Sequence, residues 1–177
     1  MANWDQNIDK LDYAFQPIIH SFTGKIYGVE ALIRNVQNIS GLNAIDDLFN
    51  MAFNDDYLYE LDLQLREKAI KKFSNIKIED LKLFYNLDNR IIYNKTFSYG
   101  NTSKILKKYK LNKSVICFEL SEKGTAIEQN ALSTMIQRYK EEGFSIAIDD
   151  FGIGVSGLKL LYFSEAQIIK LDRFFIS

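Results

Sequence analysis

The sequence predicts an α/β fold in which a mostly parallel sheet is covered by helices. Three observations carry this prediction. Six short apolar runs of strand type recur along the 177 residues. The first two are separated only by His20-Ser-Phe-Thr-Gly24, while each later run follows a stretch with helical spacing. So short a link suits a hairpin and is too brief for a crossover, whereas strand–helix alternation makes parallel neighbours.

The elements follow in order. Tyr13 to Ile19 and Lys25 to Arg34 are the antiparallel pair, with Pro17 expected at an edge or strand end because it has no N–H to donate. From Ala44 to Phe73 the period becomes helical: Ile45, Leu48, Phe49, Ala52 and Phe53 share one face, and Leu58, Leu61, Leu65, Ala69 and Ile70 continue it after a break at Asn54-Asp55-Asp56. The charges Glu60, Asp62, Arg66, Glu67, Lys68, Lys71 and Lys72 read as the solvated face of these helices. Leu81 to Asp88 is the third strand, and a mostly helical stretch runs from it to Leu111. Ser114 to Glu119 is the fourth strand, in which Cys117 alternates with Glu119 and is expected to fill the interior. Glu128 to Glu141 is an amphipathic helix closed by Gly143. Ser145 to Asp149 is the fifth strand, Leu158 to Phe163 a short helix, and Gln167 to Asp172 the sixth strand. With no linker and no low-complexity tract, residues 1–177 read as one domain.

Composition narrows the function. A net charge of −1, from 22 basic and 23 acidic residues, gives no field for a nucleic acid polymer or an anionic membrane. No apolar run approaches the ~20 residues that span a bilayer, and Met1 to Gln6 is too polar for a signal peptide, so the expected location is cytoplasmic. One cysteine and one histidine exclude a disulfide framework and the usual zinc sets.

The polar residues at the strand ends carry the chemistry. Glu30, Asn86, Glu119, the pair Asp149-Asp150, and Lys170 each close one of the strands from the second to the sixth. The C-terminal ends of parallel strands lie on one face, so residues distant in sequence meet there. Carboxylates with one amide oxygen favour a hard cation, Mg²⁺ or Mn²⁺. Four carboxylates exceed the charge of one such ion, which makes two metals plausible, a common arrangement for in-line attack on phosphate esters. Lys170 would orient water or offset phosphoryl charge, and Arg34 would hold a phosphate through its forked donors.

Two rival motifs are weaker. Gly152-x-Gly154-x-x-Gly157 with the later Asp172 fits a dinucleotide fingerprint, but it sits late in the fold and faces a pyrophosphate with Asp149 and Asp150. Asp150-Phe-Gly152 matches a kinase fragment, yet none of its companion motifs accompanies it.

Taken together, Glu30-Ala-Leu32 with Ile33-Arg34, then Asn86-Leu87, Glu119-Leu-Ser-Glu122, Asp149-Asp-Phe-Gly152, and Lys170-Leu-Asp172 resemble the ordered signatures of the EAL domain, a family of bacterial cyclic-di-GMP phosphodiesterases. The resemblance runs from about Tyr13 to the last residue. It implies a modified (β/α)8 TIM-like barrel with an antiparallel first strand, and two Mg²⁺ or Mn²⁺ ions that activate water to open cyclic di-GMP to linear pGpG. Carried over by position, it implies Glu30, Asn86, Glu119, Asp149 and Asp150 as metal ligands, Lys170 at the catalytic water, Gln16 and Arg34 on the substrate, and Glu122 steadying the loop after the fifth strand. Ile153, Val155 and Gly157 stand where that loop usually carries Thr, Tyr and Ser. This departure leads to the alternative expectation of a catalytically inactive module that binds cyclic di-GMP or a protein partner. About six of the eight strands are present, so a barrel truncated at its C-terminal side is expected, with a homodimer or domain-swapped oligomer covering the exposed edge.

Overall fold

The computed structural model describes residues 3–121, 128–152 and 157–175. Helix α1 (Trp4–Lys10) comes first and was not legible in the sequence. It is short, and tertiary contacts hold it. Asn3 caps it by accepting from the Gln6 N–H, Trp4 stacks on Tyr57 at 5.2 Å, and Lys68 donates to the carbonyls of Ile8 and Leu11 at 2.6 and 2.9 Å.

Strands β1 (Asp12–Ile19) and β2 (Ile26–Arg34) form the antiparallel pair, with Gln16 directly opposite Glu30. Pro17 lies on β1, an edge of the sheet, as its missing donor requires. Helices α2 (Ile45–Asn54) and α3 (Leu58–Phe73) follow, broken where the sequence breaks. The Asp47 carboxylate starts α2 by accepting from the Asn43 and Ala44 N–H groups at 3.0 and 2.9 Å. Then come β3 (Lys82–Asn86), α4 (Asn101–Lys108), β4 (Ile116–Ser121), α5 (Gln129–Glu141), β5 (Ser145–Phe151), α6 (Gly157–Ser164) and β6 (Ile168–Leu171). Gly143, at φ +96°, ends α5 in the left-handed conformation that glycine adopts without a Cβ penalty.

The six strands lie in the order β1-β2-β3-β4-β5-β6, with all pairs after the first parallel. This curled half-barrel is the TIM-like architecture expected, and β1 and β6 are its two edges. Strand periodicity of two divides the side chains between its faces. On the outer face Leu83, Tyr85, Ile116, Phe118, Leu120, Ile146 and Ile148 are buried in the main core with the apolar faces of the helices, including Leu61, Leu65, Met135 and Ile136. On the inner face Phe84, Cys117 and Ala147, with Ile18 and Ile168 packed beside them, form a second, smaller cluster. Cys117 is therefore an interior filler, as its alternation with Glu119 predicts.

Gly28 belongs to this inner floor. A Cβ there would lie 2.7 Å from Phe84 Cε2 and 3.0 Å from the Lys82 carbonyl oxygen, so the ring occupies space that only glycine leaves. Gly28→Ala is expected to lower stability by about 1–3 kcal/mol through overpacking. Urea unfolding checks this, and a midpoint equal to wild type would contradict it.

Two expectations are overturned. Glu30 does not close the second strand but sits in the middle of β2, which continues to Arg34 beside β1. Asp62 and Arg66 are not on the solvated face of α3 but are 0% and 1% exposed. They form an i,i+4 ion pair under the sheet. Arg66 also donates to Thr102 Oγ1 at 2.5 Å and lies over the Phe118 ring at 4.9 Å, while Tyr85 Oη donates to Asp62 Oδ1 at 3.2 Å. A charge pattern read along one helix cannot reveal partners supplied by other elements.

Candidate active site

The inner face changes character one pleat above its apolar floor. Two residues beyond Gly28, Phe84, Cys117, Ala147 and Ile168 stand Glu30, Asn86, Glu119, Asp149 and Lys170. The alternation that points the floor residues inward points these five inward as well. In-register parallel pairing sets Asn86 beside Glu119.

The five converge. Lys170 Nζ lies 3.0 Å from Glu30 Oε2, 2.6 Å from Glu119 Oε1 and 3.0 Å from Asp149 Oδ1. Asn86 Nδ2 donates to Glu30 Oε1 at 3.2 Å. Glu30, Glu119 and Asp149 each offer an oxygen within 4.8 Å of the others. Glu119 is 1% exposed, and its Oε2 is buried with no hydrogen-bond donor. Burial pushes the Glu119 carboxyl up to about 8, with Lys170 opposing that shift and the Glu30 charge adding to it. Burial alone would depress the Lys170 ammonium, but the Glu119, Asp149 and Glu30 carboxylates together hold it above the ordinary lysine value.

This donor set fits a hard divalent cation. Three carboxylates and an amide oxygen are oxygen donors of the kind Mg²⁺ and Mn²⁺ take. The undonated oxygen of a fully buried carboxylate is a ligand atom without a partner.

Asp150 enters the site differently. The β5–β6 register shifts between Ile148 and Phe151, and Asp150 adopts φ +51°. A bulge at a barrel rim re-aims a side chain, and Asp150 lines the adjoining cavity rather than joining the three-carboxylate cluster. That cavity, of about 690 Å³, is also lined by Arg34, Phe49, Asn86, Glu119 and Asp149. Arg34 Nη1 donates to the Ile33 carbonyl at 3.0 Å. Gln16 is exposed across the strand pair from Glu30 and stands outside the residues lining the cavity. Glu122, Ile153 and Val155 lie outside the described residues, and Gly157 opens α6.

Sequence reasoning missed part of the cavity wall. Arg90 Nη2 pairs with Asp88 Oδ2 at 2.6 Å, its Nη1 donates to Asn50 Oδ1 at 2.8 Å, and its guanidinium lies over the Phe53 ring at 4.9 Å. The available signal was the Asp88-x-Arg90 spacing just beyond the third strand, since Asp88 caps the following 3-10 turn by accepting from the Arg90 N–H at 3.0 Å.

Comparison with known proteins agrees with this architecture. The family model described as the EAL domain matches residues 2–177. A probable cyclic di-GMP phosphodiesterase of Escherichia coli K12, PdeI, is 29% identical over 175 residues, covering 95% of this chain and 22% of that protein. A standalone versatile EAL protein from Vibrio cholerae O395, solved with c-di-GMP bound, is 33% identical at a TM-score of 0.75, covering 94% of this chain and 68% of that one. Klebsiella pneumoniae BlrP1, solved as a manganese and cy-diGMP complex, shares the fold at a TM-score of 0.79 and 23% identity, over 94% of this chain and 41% of that one. The chain spans about a quarter of the length of the first curated relatives it matches, 22% to 27% of each.

Proposed function

We propose that this chain, which belongs to the EAL domain family, hydrolyses cyclic di-GMP to the linear dinucleotide pGpG in the cytoplasm. The observation that carries this reading is the convergence of Glu30, Asn86, Glu119, Asp149 and Lys170 from five strands, beside a cavity of about 690 Å³. The c-di-GMP complexes of its structural relatives support the choice of ligand.

Glu30, Asn86, Glu119, Asp149 and Asp150 would hold two Mg²⁺ or Mn²⁺ ions. Bound there, such ions lower the pKa of a water and offset charge on a phosphodiester. The chain's own residues do the rest. Lys170 orients the attacking water and stabilises charge on the phosphoryl oxygens. Arg34 and Gln16 grip the dinucleotide phosphates from β2 and β1, with Arg34 supplying two parallel donors. Attack forms one P–O bond, breaks one ribose 3′ P–O bond, and leaves the departing oxygen protonated.

The reading also assigns the chain to one domain that works as a homodimer or domain-swapped oligomer. The exposed β6 edge, where Ile169 is 42% and Leu171 55% exposed, motivates that assignment.

Incubation with cyclic di-GMP and Mn²⁺, followed by chromatography, is expected to yield pGpG at a rate that EDTA abolishes. Tight binding without product would instead support the inactive module that binds cyclic di-GMP. Neither binding nor turnover would leave a protein-partner module.

None of the described helices is long and apolar enough to cross a membrane.

A further inference from the structure

The centre of the carboxylate cluster already holds a cation, and it belongs to the chain. Lys170 Nζ touches Glu30, Glu119 and Asp149 at 3.0, 2.6 and 3.0 Å. These are the three carboxylates whose oxygens gather within 4.8 Å of one another. An ammonium and a divalent ion repel each other, and both cannot take the same oxygens at once.

We propose that Lys170 is the resident counter-ion of the metal-free site, and that it must leave these carboxylates for a divalent cation to bind them. This inference rests on the metal-dependent reading above and assigns Lys170 a role before catalysis begins.

Three further observations support it. First, Glu119 is fully buried and gathers with Glu30 and Asp149, and acidic oxygens this close together need a cation between them. Lys170 supplies it and so keeps the ligands gathered. Second, the ammonium does not saturate the site. It carries one charge against three carboxylates, and Glu119 Oε2 remains without a donor. A dication would complete what lysine leaves incomplete. Third, Lys170 can withdraw. Its side chain keeps 23% exposure, on a flexible stem near the end of edge strand β6. Competition of this kind weakens metal affinity while keeping the ligand geometry assembled.

The test is calorimetric titration of Mn²⁺ into the wild-type chain, Lys170→Met and Lys170→Gln, with Arg34→Met as a control that removes the same charge from the cavity wall. Affinity is expected to rise about tenfold or more in both Lys170 variants and to change little in the control. The metal-free Lys170 variants are also expected to melt below wild type and to recover in saturating Mn²⁺. Equal affinities, weaker binding in the Lys170 variants, or the same gain in Arg34→Met would each overturn the inference and leave the phosphodiesterase reading standing. Absence of Mn²⁺ binding in every protein would sink that reading and the inference with it. If neither Lys170 variant folds, Mg²⁺ titration of wild-type chain carrying ¹⁵N-labelled lysine decides. A protected ammonium signal is expected to shift or begin exchanging fast as metal binds, and lysine signals that all stay unchanged would refute displacement.

Discussion

Glu119→Ala is expected to cut cyclic di-GMP hydrolysis by more than about a hundredfold while leaving the fold intact. Partners one shell away from a metal typically cost about 10–100-fold in affinity or activity when removed, and the proposed function places Glu119 among the ligands themselves, within the three-carboxylate cluster. It is also the most deeply buried of the three carboxylates, and Lys170 approaches it most closely, at 2.6 Å. Glu119→Gln should lose activity to a similar extent, because an amide keeps the shape and removes the charge. The stability outcome separates chemistry from folding. The wild-type carboxylate carries a buried oxygen with no donor, so neutralising it removes a desolvation cost even as Lys170 loses a partner. Circular dichroism melts near the wild-type value, together with a steady-state rate reduced more than a hundredfold, are the expected pair of results. A Glu119→Gln enzyme with wild-type turnover would remove Glu119 from the metal set.

Arg66→Ala is expected to be the most destabilising single change away from the site, by about 3–5 kcal/mol, the usual cost of leaving one member of a buried ion pair alone. Asp62 would then be fully buried without its counter-charge, keeping only the hydroxyl of Tyr85. The guanidinium also ties α3 to Thr102 on α4 and covers the Phe118 ring on β4, so its loss also opens packing between those elements. Replacing both members with apolar residues, Asp62→Leu with Arg66→Met, should cost far less than Arg66→Ala, since no unpaired charge remains. Urea unfolding of the single and double variants measures the difference. An Arg66→Ala protein within about 1 kcal/mol of wild type would show that the pair carries no such penalty.

The fold and the candidate site were legible in the sequence to different depths. Six strands, the hairpin and the helix breaks could be read because each is a local pattern. Period two, period 3.6 and short turns are written in neighbouring residues. Asn86, Glu119, Asp149 and Lys170 could be named because each stands at or near the end of an apolar run, and parallel strands bring such ends to one face, whereas Glu30 joins them from the middle of β2. Helix α1 was not legible, because its seven residues are held by Tyr57 and Lys68 from elsewhere in the chain. Asp62 and Arg66 were misplaced for the same reason, since only β3, β4 and α4 make that stretch of α3 an interior. Arg90 was missed because its partners Asn50 and Phe53 lie about forty residues earlier in the chain.

By itself, then, the sequence determined the strand–helix order, the inward alternation above and below Cys117, and the oxygen-donor side chains along the inner face. Only the tertiary structure decided which of those residues touch. It placed Lys170 among three carboxylates, sent Asp150 through a bulge into the cavity wall, and paired Asp62 with Arg66 under the sheet. The physical reason is that periodicity sets the direction in which a side chain leaves the backbone. Which partner it meets depends on register and curl, and these follow from packing across the whole sheet.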